Sequence, residues 1–104
     1  MENIRIDVGV DTLIDVDLSN IDFDGVKEVI FTIKNTPSVE SNPIVERKFT
    51  EAKKHQIKIS AEESILVSKS AQYDFQQVLN DGTRTKITDN GNIELRHSVG
   101  DKLD

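Results

Sequence analysis

Ser70-Ala71-Gln72-Tyr73-Asp74-Phe75, continued through His97, is the stretch whose reading decides the fold. Tyr73 and Phe75 alternate with polar residues, the period-two rhythm of a strand with one buried face. Asn80-Asp81-Gly82 turns that strand and Arg84 to Thr88 returns. Asp89-Asn90-Gly91 then predicts a second turn, and Ile93-Glu94-Leu95-Arg96 closes a three-stranded meander. Asp-Gly and Asn-Gly between alternating apolar runs are strong hairpin signals, because Gly and Asn tolerate the positive φ of tight turns. Tyr73 and Phe75 are expected inside, with the Phe75 ring between two sheets. These residues specify architecture and say almost nothing about chemistry.

Upstream, Ile4, Ile6, Val8 and Val10 alternate with Asn3, Arg5, Asp7 and Gly9, and the rhythm resumes at Ile14, Val16 and Leu18 against Asp15 and Asp17. This is one long half-buried strand or two short ones, with Gly9 and Asp11 marking a bulge or bend. Val26 to Lys34 carries Val29, Phe31 and Ile33 on one face and Ile30 on the other, which predicts an inner strand. Both prolines fall within Asn35 to Pro43, a loop. Ile44 to Phe49 is a further strand with Arg47 on its inward side, a placement that an edge strand would reconcile. After a turn at Glu51 to Lys54, His55 to Ile59 points Ile57 and Ile59 inward. Ser60-Ala61-Glu62-Glu63 matches the capping box, so about two helical turns should follow, with Ile65 and Leu66 covering the end of the sandwich.

The 104 residues fit one domain, with an acidic first-strand region over residues 1–20 and a polar, frayed stretch over 100–104. About seven short strands with turn signals every ten residues or so predict an all-β, immunoglobulin-like β-sandwich with one short helical turn. A small barrel is the alternative architecture. Ser70 to Phe75 resembles the start of the sixth strand of immunoglobulin-like domains, where a Tyr precedes a core position by two residues. Here that core position is Phe75 instead of Cys, which suits a disulfide-free relative.

Composition excludes several functions. Cysteine is absent, removing disulfides, thiolate metal sites and cysteine nucleophiles. The net charge is −6, which opposes a phosphate-backbone partner. Lys53-Lys54-His55 is the densest basic cluster, and Glu51 stands beside it. No apolar run approaches the roughly 18 residues of a membrane span, and no charged-then-apolar leader opens the chain. The expectation is a soluble protein that is not exported by an ordinary signal.

Asn20-Ile21-Asp22-Phe23-Asp24-Gly25 overlays the start of a calcium loop, but its twelfth position is Phe31 and its first ligand is Asn. A polar turn with Ile21 and Phe23 tucked inward is the stronger reading, and no metal or other cofactor is expected. Asp15 and Asp17 share a strand face about 7 Å apart. Without a pocket they read as a solvated face that deters edge pairing. Together Asp7, Asp11, Asp15 and Asp17 form the candidate interaction surface. His55 and His97 are not in metal-ligand spacing, and His97 falls at a strand end. Ser64, Ser68 and Ser70 stand in no nucleophile-elbow context. No catalytic residue is assigned, and an enzyme is not expected.

The order of motifs carries a resemblance. Val29-Ile30-Phe31-Thr32-Ile33-Lys34-Asn35 gives F-x-I-K-N, and Ile57 to Ser64 gives I-x-I-S-x-E-E-S. Tyr73-Asp74-Phe75 follows, then Gly82 and Gly91-Asn92-Ile93-Glu94-Leu95. Over residues 21 to 99 this resembles small β-sandwich proteins encoded among phage and prophage structural genes of Gram-positive bacteria. It is also similar to the N-terminal domain of phage baseplate upper proteins. The resemblance implies a non-enzymatic structural or assembly module, with itself or neighbouring phage structural proteins as partners. No nucleic acid or membrane partner is implied. A phage-encoded module that binds a host protein and a small carbohydrate- or calcium-dependent adhesion domain are the alternatives.

Overall fold

The computed structural model describes residues 3–36, 42–88 and 91–97, with the backbone alone at His97. Eight strands and one helix are found among them. They are β1 (Ile4–Val8), β2 (Thr12–Asp17), β3 (Val26–Lys34), β4 (Val45–Phe49), β5 (Lys54–Ile59), α1 (Ala61–Leu66), β6 (Gln72–Leu79), β7 (Arg84–Lys86) and β8 (Gly91–His97). The larger sheet runs β1-β8-β6-β3-β4, with β7 also on β6, and β2 and β5 form a second sheet. Placing β2 and β5 opposite β3, β6 and the returning β7 and β8 is the strand division of an immunoglobulin-like sandwich.

The core lies between the sheets. Ile57 and Ile59 of β5 meet Phe31 and Ile33 of β3, Tyr73 of β6, Ile6 of β1 and Ile93 of β8. β3 is flanked by β4 and β6 and is buried on both faces, Ile30 included, as its two-sided apolar pattern predicts. Phe31 is fully buried and sits opposite Phe75 in the β3–β6 register. Its ring centroid is 5.1 Å from that of Phe75 and 5.9 Å from that of Tyr73, both tilted arrangements that aromatic quadrupoles favour. Phe75 is half-buried and packs against the core cluster from its margin, less enclosed than Tyr73.

One expectation for the chain path needs correction and another is narrowed. The first strand region is two short strands, one of the two expected arrangements, and they lie in different sheets. Gly9, with φ of 89°, turns the chain between β1 in the large sheet and β2 in the small one. The meander is also different. β6 turns at Asn80-Asp81-Gly82, where the Leu79 N–H donates to Thr83 O and the Gly82 N–H to Leu79 O, both at 2.8 Å. Both β7 and β8 then pair antiparallel to β6, along the same edge. They are two pieces of one returning strand, shifted by two residues in register, and the chain does not reverse between them. Residues 89 and 90 of the second predicted turn lie outside the described residues, as does the stretch 100–104. Gly91 is the first residue of β8, opposite Tyr73. A Cβ there would overlap the Tyr73 ring, so the aromatic packs directly on bare backbone. No helix among the described residues is long and apolar enough to cross a membrane.

Candidate functional site

α1 and the chain it is tied to form the most distinctive surface. Ser60 is extended (φ −69°, ψ 162°), and its Oγ accepts the Glu63 N–H at 3.1 Å. Glu63 Oε1 accepts the Ser60 N–H at 2.9 Å, so the capping box forms in both directions. Asp11 Oδ1 takes the Ala61 N–H at 2.9 Å, and its other oxygen lies 3.4 Å from Lys58 Nζ. Ser64, fully buried, donates to Ala61 O at 2.7 Å and accepts the Gly9 N–H at 2.9 Å. At the far end Asn35 Nδ2 donates to Leu66 O at 2.9 Å, and Asn35 Oδ1 accepts the Ser68 N–H at 2.7 Å. The short helix is therefore fixed at both ends and at its middle by polar side chains.

These ties decide which apolar groups face water. Ser64 and Val67, three residues apart, take the inward face and are buried. Ile65 and Leu66 are rotated away, at 65% and 62% exposure, which corrects the expectation that they cover the end of the sandwich. Val10, at 43%, lies between Gly9 and Asp11, both bonded to α1, and Leu13 on β2 is 59% exposed. Four aliphatic side chains thus stand in solvent on α1 and on the chain α1 is tied to, with Asp11, Lys58 and Glu62 exposed on the same segments. Val10 and α1 form one corner of the molecule, with Leu13 two residues beyond Asp11 on β2.

Arg47 fastens the corner to the large sheet. β4 is the last strand of that sheet, so the inward-pointing guanidinium leaves through the open side. Its Nη2 reaches Glu63 Oε1 and Oε2 at 2.8 and 3.0 Å and Lys58 O at 3.1 Å, while Nη1 bonds Glu46 O at 3.1 Å. The edge strand does reconcile an inward Arg. Burial pushes the Glu63 carboxyl up, but the Ser60 N–H and the Arg47 guanidinium outweigh it and hold the carboxyl below its ordinary value.

The four aspartates do not form one surface. Asp7 is half-buried on β1, opposite Arg96. Asp11 is at the helix start. Asp15 and Asp17 lie on the outer side of β2, where Asp15 Oδ1 accepts from Gln56 Nε2 at 3.3 Å and Asp17 stands opposite Lys54. The Ser19 hydroxyl, then its N–H, lower the Asp17 pKa, with Lys54 adding to them against a small burial effect. The acidic rhythm of β2 is thus met by Lys and Gln across the pair.

Asn20 to Gly25 is a polar turn. Asp22 Oδ1 accepts the Asp24 N–H at 2.8 Å, Ile21 and Phe23 are half-buried, and the Val26 N–H returns to Phe23 O at 3.0 Å. Among the described residues no group of three or more His, Asp or Glu stands together in a way that could hold a metal ion. The His55 ring packs on Phe49 at 4.6 Å, with its Nε2 2.8 Å from Glu51 O. The His97 side chain lies outside the described residues.

No family model and no curated protein matches the chain.

Proposed function

We propose that this chain is a non-enzymatic structural or assembly module of a phage or prophage particle that acts through protein–protein contacts. The carrying observation is the α1 corner, where Val10, Leu13, Ile65 and Leu66 are all exposed while the helix bearing two of them is held rigid. Exposed aliphatic groups that gather into one patch rimmed by polar residues mark contact surfaces, and we take these four as such a patch. Rigid presentation lowers the ordering cost of association. The order of strand motifs supports the particle as the setting. The partner is a neighbouring phage structural protein with an apolar face. The test is sedimentation of particles and assembly intermediates from phage-producing cells, with wild type beside an Ile65→Asp, Leu13→Asp variant. Wild type is expected in the particle fractions, and the folded variant is expected to be depleted from them. A wild-type chain absent from every such fraction, or one that turns over a substrate in a broad activity screen, overturns the reading.

A further inference from the structure

The open end of the large sheet is a different surface with its own logic. Among the described residues β1 is the last strand on that side, and it pairs with β8 in parallel. Its outward residues face opposite charges in β8, Arg5 against Glu94 and Asp7 against Arg96. Sign therefore alternates both along each strand and across the pair. The Asp7 N–H bonds Thr12 Oγ1 at 3.1 Å, so this residue turns its backbone away from β8. By strand alternation Arg5 does the same, and its N–H and C=O point to the open side.

We propose that β1 is the seam of an antiparallel dimer of this chain, centred on Ile6, in which the β1 edges of two copies join their large sheets into one. The sequence Ile4-Arg5-Ile6-Asp7-Val8 is complementary to its own reverse. About Ile6, Ile4 meets Val8 of the second copy and Ile6 meets its equivalent, all on the core side. Arg5 meets Asp7 of the second copy on the outer side, twice by symmetry. Each outer row then reads Glu94, Arg5, Asp7, Arg96 across the seam, alternating in sign throughout. A slip of one residue sets apolar against charged side chains. A slip of two sets Arg5 against Arg5 or Asp7 against Asp7, and like charges directly opposite are unfavourable. One register satisfies both faces.

The other end of the sheet is the competitor. Glu46 and Lys48 of β4 would also complement each other about Arg47. There, however, Arg47 would meet its own copy, and its Nη1 already bonds the Glu46 carbonyl. The β1 edge has neither obstacle at its centre, where Ile6 faces Ile6. Thr12 Oγ1 sits where the Arg5 carbonyl of the second copy would accept the Asp7 N–H. The seam therefore forms as the Thr12 hydroxyl turns away, and each Arg5–Asp7 pair then exchanges two main-chain bonds at the cost of that tie. With few such bonds and solvent-facing ion pairs, the dimer is weak and sensitive to salt.

Sedimentation velocity across a concentration series tests the seam. Wild type is expected to move from monomer towards dimer as concentration rises, and to return towards monomer as salt is added. Arg5→Asp and Asp7→Arg are each expected to stay monomeric alone. Mixed in equal amounts, they are expected to associate, because the first variant then presents two carboxylates on its outer row and the second presents two guanidinium groups opposite them. Each reversal also faces Glu94 or Arg96 within its own chain, so circular dichroism checks the fold. Should either variant unfold, Arg5→Pro removes the outward donor without touching the β8 pairing, and that variant is expected to be monomeric. An Ile65→Asp variant at the α1 corner is expected to dimerise as wild type does, which separates this seam from the particle-binding surface. A wild type that remains monomeric throughout, single reversals or Arg5→Pro that still dimerise, or a reversal mixture that stays monomeric each overturns the proposal.

Discussion

Ser60, Glu63 and Arg47 join three segments through a handful of atoms, and each can be tested singly. Ser60→Ala leaves the Glu63 N–H without its partner, and we expect a loss of about 1 kcal/mol, typical of an N-cap, in the urea midpoint. An unchanged midpoint would rule the cap out. Glu63 adds a pH signature. Its folded pKa is depressed below the ordinary 4.5, so it contributes stability above that value and loses the contribution as pH falls through it. Wild type should therefore lose thermal midpoint faster than Glu63→Gln as pH falls below the ordinary 4.5 and through the depressed folded value. Parallel curves would refute the Arg47–Glu63 link as a stabilising contact. Gly91→Ala should cost about 1–3 kcal/mol, because the Tyr73 ring occupies the space a methyl needs. Ser60 was legible because a capping box is local in sequence. The ties from Ser64 and Asn35 were not, since each depends on segments far apart along the chain, Gly9 and α1 respectively.

The β3–β6 pair is the element on which the sandwich depends. Phe31 is fully buried and touches both other aromatics, whereas Phe75 is half-buried beside the short β7. Phe31→Ala should cost on the order of 3–5 kcal/mol, and Phe75→Ala less. Equal losses would mean that Phe75 is as enclosed as Phe31. Strand positions were readable because period-two alternation reports a buried face directly. Partnership was harder to read. A turn-forming dipeptide signals a hairpin wherever it occurs, so Asn90-Gly91 suggested a reversal between two strands that in fact run the same way beside β6. In α1, the two largest apolar residues looked inward by composition. Helical geometry gave the inward face to Ser64 and Val67, because Ser64 is the residue bonded to Gly9.

At the scale of the molecule, an immunoglobulin-like sandwich hosts many functions, so function has to be argued from the surface. The acidic residues that suggested one interaction face in the sequence are dispersed by the switch of sheets at Gly9, and those on β2 are matched by Lys54 and Gln56. Charge reversal at Asp15 and Asp17 should consequently leave the fold intact and weaken particle association less than Ile65→Asp does, measured as the bound fraction in particle sedimentation. A larger effect from the aspartates would move the contact surface to β2. The most direct measurement is hydrogen–deuterium exchange on the chain alone and on the chain bound to purified particles. Protection confined to residues 9–13 and 60–67 is the predicted result. Unchanged exchange over both segments in the presence of particles would contradict the α1 corner as the surface through which this protein acts.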